Sequence, residues 1–350
     1  MSTHKGKTRV AILGASGYTG AELVRLLARH THVEIVALTG DRKAGEPMSD
    51  VFGQFAMLNL PRLTTIKDVD WSNVDAAFCA LPHATTQAVV NELPDHVRVI
   101  DISADFRLEN PETYRKWYAH EHQALELQKQ AVYGLTEFNR ERIKTARIVA
   151  CPGCYPTAAL LPLLPLLEQK LIDPDEIIID AKSGVSGAGR GEKQANLHAE
   201  VSEGIHAYGV GKHRHMPEIE QELSKAAGRA VPVTFTPHLM PMNRGMLDTI
   251  YVRTSNGTTA ERMHGALTQR YAGESFVHVM PFGQTPQTRH VRGSNHCFIG
   301  VVAEARPGRA TLLSAIDNLT KGASGQGVQN FNLMFGYPET TGIDMLPLFP

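Results

Sequence analysis

Two cysteines stand three positions apart in "RIVACPGCYPTAALLPLL" (147–164), where an apolar strand-like run hands over to a long apolar segment. Cys151 and Cys154 could be a redox pair, half of a metal site, a packed structural pair, or a turn holding one nucleophilic thiol. A C-x-x-C redox pair normally opens the helix after the first strand of a thioredoxin-like unit, whereas this one follows several strand candidates and a glycine motif. A zinc knuckle needs a second pair of ligands, and neither Cys79 nor Cys297 has a Cys or His partner at zinc-site spacing. The nucleophile reading favours Cys154. It is nearest a helix expected to start around Pro156 and Thr157, whose unpaired first-turn amides stabilise a thiolate. Cys151, still in the strand, lacks that help, and a merely structural pair of buried cysteines is the alternative.

A nucleophilic thiol needs a base and an anion pocket, and the chain offers candidates for both. "GKHRHMPEIEQEL" carries His213 and His215 just ahead of a helix expected to begin at Pro217. Glu218 follows His215 by three, close enough to orient an imidazole across the helix start. A basic surface loop or an H-x-H metal site are the other readings of this stretch. "KSGVSGAGRGEKQ" combines Ser183, Ser186, Gly187 and Arg190: hydroxyls, pliant backbone and a cation suited to a carboxylate or phosphate. It reads equally well as a plain flexible loop. Arg107, in "DISADFRL", could hold a phosphoryl group or form an ion pair with Asp101 or Asp105. His238 and Arg244, in "PHLMPMNRGM", read as structural or interfacial.

Near the start, "GASGYTGAELVRLL" places Gly14, Gly17 and Gly20 at G-x-x-G-x-x-G spacing between a strand candidate and a well-patterned helix, with Ser16, Tyr18 and Thr19 in the same turn. Such a turn lets backbone amides approach a pyrophosphate at a helix N-terminus, so it reads as a dinucleotide site. After the next strand, "ALTGDRKAG" offers Asp41 to a free ribose hydroxyl, favouring NAD, and Arg42 with Lys43 to a 2′-phosphate, favouring NADP. His83, in "LPHATTQ", is placed to line the cofactor site, and Gly325, in "KGASGQGVQN", to let backbone approach the cofactor; that run also reads as a helix junction. A thiolate beside a nicotinamide points to covalent capture of an acyl group as a thioester and hydride transfer to an aldehyde.

These residues must be positioned by two domains, the usual number for 350 residues. Strand candidates "RVAILG", "VEIVALT", "VDAAFCAL", "VRVIDIS" and "RIVAC" alternate with helical patterns, as in a parallel sheet with crossover helices. Beyond residue 175 come "EIIIDAKS", "VPVTFTPHLM", "MLDTIYVRT" and "HCFIGVVAEA", with two helices among them, which implies an α+β domain with a more antiparallel sheet. From "ATLLSAIDNL" onward the pattern again looks helical. The expected fold is therefore α/β: a Rossmann-type dinucleotide-binding domain over 1–153, rejoined by 310–350, and a catalytic α+β domain over 154–309. Lys and Arg total 35 against 36 Asp and Glu, which leaves no global field for nucleic acid. "AALLPLLPLLEQKLI" is too short and proline-broken to span a bilayer. The polar start running into a strand, with four cysteines, points to a cytoplasmic protein with reduced thiols.

In order along the chain, "GASGYTGAELVRLL", "SADFRL", "AVYGLTE", "CPGCYPTAALLPL", "SGVSGAGR", "HRHMPEI", "FTPHLMPMNRGML" and "GASGQGVQNFNLMFG" resemble the N-acetyl-gamma-glutamyl-phosphate reductases, in the longer of that family's two forms, over about residues 8 to 337. The resemblance implies NADPH-dependent reduction of an acyl phosphate, N-acetylglutamyl 5-phosphate, to the 5-semialdehyde with release of phosphate, in arginine biosynthesis. It also implies Cys154 as nucleophile, His215 as general acid/base with Glu218 its partner, no metal, and assembly as a homodimer or homotetramer. Many relatives carry Ser-Arg after the second strand where this chain has Gly40-Asp41, a departure that bears on NADP against NAD. Other acyl phosphate reductases of the same architecture, and a nicotinamide-binding regulatory protein without turnover, are the competing readings.

Overall fold

"TRVAIL" is apolar on both faces, which suits a strand with helices above and below it, and it forms the central β1 (Thr8–Leu13). The computed structural model describes residues 6–255 and 257–350. The chain divides into two units, one running to Pro152 and taking in Ala323–Asp344, the other Gly153–Gly322 with Met345–Pro350.

In the first unit, β1, β2 (Val33–Thr39), β3 (Leu63–Thr64), β4 (Ala76–Cys79), β5 (Arg98–Asp101), β6 (Val132–Tyr133) and β7 (Ile148–Ala150) form one sheet in the order β3-β2-β1-β4-β5-β7-β6. Every neighbouring pair is parallel. The Tyr18–Leu27 helix follows β1 and buries Leu23, Val24, Leu26 and Leu27. The Gly325–Phe335 helix belongs to this unit. Its Gln326, Gln329, Asn330 and Asn332 are fully buried, and hydrogen bonds hold them there: Gln326 Nε2 and Asn330 Nδ2 donate to the Gly134 carbonyl at 3.1 and 2.8 Å, and Asn332 Oδ1 lies 2.8 Å from His30 Nε2.

In the second unit, β8 (Ile172–Gly184), β9 (His206–Ala207), β10 (Thr234–Met240), β11 (Met246–Thr254), β12 (Val277–Val279), β13 (Cys297–Ala303) and β14 (Arg309–Ile316) form a mixed sheet in the order β12-β13-β14-β11-β8-β10-β9. Only β8 with β10 and β12 with β13 run parallel among the described pairs. One face carries Ile177, Ile179 and Ala181 of β8 and Met246, Ile250 and Val252 of β11, all buried, and the Cys154–Glu168 helix packs on these strands. That helix is apolar all round, as a core helix must be. It holds Pro162 and Pro165 in its interior, each costing about 3 kcal/mol or more in an isolated helix. Six buried leucines between Leu160 and Leu167, each contributing about 1.5–3 kcal/mol, outweigh that cost.

Three expectations change. The helix begins at Cys154 rather than near Pro156, because proline is tolerated in a first turn and Gly153 takes the extended capping conformation. "ATLLSAI" is strand β14 rather than helix: it pairs with β11 on one side and β13 on the other, and that pairing overrides the helical propensity of Ala and Leu. The return to the first unit accordingly starts at Ala323 rather than 310, and Met345–Pro350 stays with the second unit.

Asp317 closes this second fold. Its fully buried carboxylate accepts the amides of Leu319 (2.8 Å), Thr320 (3.1 Å) and Gly293 (2.7 Å), and Arg244 Nη1 lies at 3.3 Å. Removing one member of a buried, hydrogen-bonded ion pair costs about 3–5 kcal/mol. Asp317→Ala should therefore lower the unfolding free energy by that amount, which moves the denaturation midpoint down at an unchanged slope against denaturant; a midpoint within error of wild type would show that the carboxylate is not a structural centre.

Candidate active site

Cys154 is the first residue of the Cys154–Glu168 helix and is partly exposed. Three features of the second unit fix it. Glu218, itself buried, accepts the amide of Gly153 through Oε1 at 2.9 Å. The Gly153 carbonyl accepts both the amide and the hydroxyl of Thr157 at 2.9 Å, starting the helix. Gly322 packs straight against Cys154: a methyl group there would stand 2.7 Å from Cys154 Cβ, and the Gly322 amide is held by the Asp317 carbonyl at 3.0 Å.

His215 lies over the same backbone. A methyl group on Gly153 would sit 2.4 Å from His215 Nε2 and within 2.8 Å of Cε1 and Cδ2, so only glycine leaves room for the imidazole there. His215 precedes the Met216–Ala227 helix as its capping residue, one residue earlier than the Pro217 start expected, and His213 Nδ1 accepts the His215 amide at 3.2 Å. Burial lowers the pKa of His213 to about 4, so His213 is a neutral acceptor at physiological pH. Around the two imidazoles stand Tyr155, Tyr208 and Phe235. Tyr155 meets His213 and His215 edge to face at centroid distances of 5.5 and 5.8 Å, and the two imidazoles are 4.8 Å apart. Glu218, expected as the partner of the imidazole, accepts at 2.9 Å the amide of the residue before Cys154.

Ser183, Ser186 and Gly187 come together in one loop at the end of β8. Ser183 is buried with its Oγ near residue 187, and Ser186 Oγ accepts Asn318 Nδ2 at 2.9 Å. Asn318 Oδ1 also accepts the Gly245 amide at 2.9 Å, so one side chain laces this loop to the turn after β10. Arg190 lies beyond Gly189 and is exposed. His238 Nδ1 stands 3.2 Å from both the Ala181 carbonyl and Asp180, and Arg244 pairs with Asp317. Sequence reading missed Gly153, Gly322 and Asn318; the only signal was their place inside motifs whose partners lie far along the chain.

In the first unit, Cys151 is fully buried, Asn330 Nδ2 lies 3.6 Å from its sulfur, and burial pushes its thiol up to about 12. It is a packed thiol that stays protonated. Arg107 is buried; its Nε donates to the Cys151 carbonyl at 2.7 Å and an Nη to the Ile102 carbonyl at 3.0 Å, so the guanidinium braces main chain. Asp105 accepts the amides of Ala84 and Thr86 and the Tyr114 hydroxyl. Burial, with Asp105 nearby, raises the fully buried Asp101 to about 7.

The glycine turn has the shape that a dinucleotide needs. Gly14 has φ of +81°, and a methyl group on it would stand 2.4 Å from the Ala80 carbonyl oxygen; one on Gly20 would stand 2.3 Å from that of Gly14. Gly17 caps the Tyr18–Leu27 helix, and no side chain crowds its Cα, so phosphate oxygens can reach the amides at the helix start. Ser16 lies beside Gly40 at the end of β2, with the exposed Asp41, Arg42 and Lys43 next to it. Tyr18 is exposed on the first turn, and the Thr19 carbonyl accepts Ser324 Oγ at 2.9 Å, which brings the start of the Gly325–Phe335 helix to this turn. His83 is exposed after β4, with its ring 5.5 Å from that of Tyr118. These residues fit a nicotinamide dinucleotide.

Known proteins agree with this geometry. Residues 9–146 match the semialdehyde dehydrogenase NAD binding domain, and 154–318 match the semialdehyde dehydrogenase dimerisation domain. The chain is 61% identical over 349 residues to the N-acetyl-gamma-glutamyl-phosphate reductase of Rhodospirillum rubrum, covering 98% of this chain and 99% of that one. It is 57% identical over 342 residues to the probable chloroplastic N-acetyl-gamma-glutamyl-phosphate reductase of Arabidopsis thaliana, covering 98% of this chain and 85% of that one. Among solved structures, aspartate semialdehyde dehydrogenase II from Vibrio cholerae superposes with a TM-score of 0.71 at 19% identity, covering 94% of this chain and 99% of that one, which establishes the shared fold. With full-length identity at this level and both domains matched, the chain belongs to the semialdehyde dehydrogenase family and, within it, to the N-acetyl-gamma-glutamyl-phosphate reductases.

Proposed function

We propose that this enzyme reduces N-acetyl-γ-glutamyl phosphate to N-acetylglutamate semialdehyde with release of phosphate, through a thioester on Cys154. The observation that carries the reading is the imidazole of His215 seated on Gly153, directly before a partly exposed cysteine at a helix N-terminus. Bound on the Gly14–Gly20 turn, with Ser16, Tyr18, Thr19, Arg42, His83 and Gly325 as its neighbours, a nicotinamide dinucleotide supplies the hydride.

The chain's own residues do the rest. Cys154 Sγ attacks the acyl carbonyl carbon, the bond to the phosphate oxygen breaks, and inorganic phosphate leaves a thioester. A helix start leaves its amides to bond outside the helix; here those of Cys154 and Tyr155, Pro156 having none, stabilise the oxyanion. His215 gives a proton to the oxygen of the reduced, tetrahedral adduct. It takes that proton back as the carbon–sulfur bond breaks, releasing the aldehyde and restoring the thiolate. Glu218 anchors Gly153 and so holds thiol and imidazole in one frame. Ser183, Ser186, Gly187 and Arg190 serve the substrate's carboxylate or phosphate, and within the first unit Arg107 braces the Cys151 carbonyl. Four cysteines with no disulfide among the described residues fit a reducing, cytoplasmic setting.

The cofactor is NADP, since Arg42 and Lys43 stand exposed at the end of β2 to meet a 2′-phosphate. Incubating the purified chain with N-acetylglutamate semialdehyde, inorganic phosphate and either NADP⁺ or NAD⁺ tests both statements. Phosphate-dependent formation of the reduced cofactor, faster with NADP⁺, is expected. No turnover with either overturns the reaction, and equal or better use of NAD⁺ shows that Asp41 governs the ribose contact.

The sheet face opposite the Cys154–Glu168 helix is where copies of the chain associate as a dimer or tetramer. The adjacent Ile178 and Tyr251 remain 41% and 39% exposed on it, and it lies in the domain that matches a dimerisation family. Light scattering at micromolar concentration should report an oligomer; a monomer there contradicts this assignment.

Gly153→Ala and Gly322→Ala add methyl groups where His215 and Cys154 already lie. Each should lower turnover by about 10²-fold or more through sub-ångström to ångström misplacement, while dinucleotide binding persists because its turn lies in the other unit. Turnover within a few-fold of wild type in both variants would show that the packing around Cys154 has slack.

A further inference from the structure

The side chain of Tyr155 has no part in the steps above, yet it lies beside the two groups that carry them. It follows the nucleophile directly, it is buried, and its ring meets the His213, His215 and Phe235 rings edge to face at 5.5, 5.8 and 5.3 Å. Its hydroxyl is anchored at the far end: it donates to the His238 carbonyl at 3.3 Å and accepts the Tyr208 hydroxyl at 3.1 Å. Tyr208 is in turn tied to β10, its amide donating to the Pro237 carbonyl at 3.0 Å, and its ring meets His213 at 5.4 Å. Both ends of the phenol are thereby fixed, one on strand β10 and one on the helix that begins with the nucleophile.

We propose that Tyr155 is the positioning residue for His215: its ring is the wall against which the imidazole is set, so the helix that carries the thiol also fixes the base. This rests on His215 being the acid–base group. The contact is edge to face, the arrangement that aromatic rings favour, and it limits how far the imidazole can rotate about its side-chain bonds. The phenol itself does not exchange protons in the reaction, because burial holds its pKa far above the working range. His213 completes the wall. Its Nδ1 is committed to the His215 amide, so it fixes the main chain of the base while Tyr155 fixes the ring.

The test compares Tyr155→Phe, Tyr155→Leu, Tyr208→Phe and the double Tyr155→Phe/Tyr208→Phe variant in the phosphorolytic assay, with each rate normalised to the Cys154 thiols titrated per chain so that misfolded protein is not counted. Tyr155→Leu removes the wall and should lower kcat by up to about 10²-fold, with KM for the semialdehyde nearly unchanged and the imidazole limb of the pH–kcat profile displaced. Tyr155→Phe keeps the wall and should restore most of that loss. Because the two tyrosines share one hydrogen bond, the double variant should lose no more than the worse single one. The proposal fails if Tyr155→Leu keeps kcat within about threefold per titrated thiol. It also fails if kcat falls with the pH limb unmoved, or if the Phe and Leu variants are equally impaired. Should Tyr155→Leu not fold, the Tyr155→Phe and Tyr208→Phe losses decide: fully additive losses overturn the shared anchor. Absence of turnover in the wild-type chain would count against the reaction itself and not against this wall.

Discussion

The imidazole of His215 occupies the space that any side chain on residue 153 would fill, and the rest of the second unit is arranged around that contact. The residue before Cys154 must be glycine, its amide must be held, and the helix must start at once. Glu218 satisfies the amide, and it comes from the first turn of the helix that His215 caps. The two helix starts are thus cross-braced: one carries the thiol, the other the base, and a buried carboxylate of the second fixes the backbone of the first.

Such a frame needs rigid support, which the sheet supplies. The Cys154–Glu168 helix is buried along its length on β8, β11 and β14, so the thiol at its start inherits the order of the core. Asp317, at the end of β14, orients the turn that delivers Gly322 to Cys154, and Asn318 next to it laces the serine loop to the turn after β10. A single segment, 317–322, therefore touches Cys154 and the serine loop alike. Burial sorts the two cysteines by the same physics: Cys151 ends a strand in an apolar layer and stays a thiol, whereas Cys154 meets solvent at a helix start.

What the sequence disclosed was local. The α/β class follows from alternating strand and helix periods, and the dinucleotide turn from three glycines spaced between a strand and a patterned helix, each readable within about fifteen residues. What it hid was long-range. "ATLLSAI" has good helix formers and becomes β14 only because β11 and β13 flank it. "GASGQGVQNFNLMFG" is polar enough to pass for a surface helix, yet Gln326 and Asn330 are buried because Gly134, far off in sequence, offers its carbonyl. Glu218 was expected to face His215 from its spacing; its bond to Gly153, sixty-five positions away, leaves no trace in either motif. The charged motif of Arg107 suggests an anion ligand or an ion pair, and shows nothing of the Cys151 and Ile102 carbonyls that accept its Nε and an Nη.

The central claim is that one thiol, Cys154, carries the acyl group while His215 moves the proton. It is tested most directly by quenching the enzyme during turnover with isotopically labelled N-acetylglutamyl phosphate, digesting it and mapping the label by mass spectrometry. The account predicts a thioester on the peptide containing "CPGCYPT", with the label on Cys154 and none on Cys151, and its accumulation in His215→Asn. Label on Cys151, or undiminished turnover in Cys154→Ser, would contradict it.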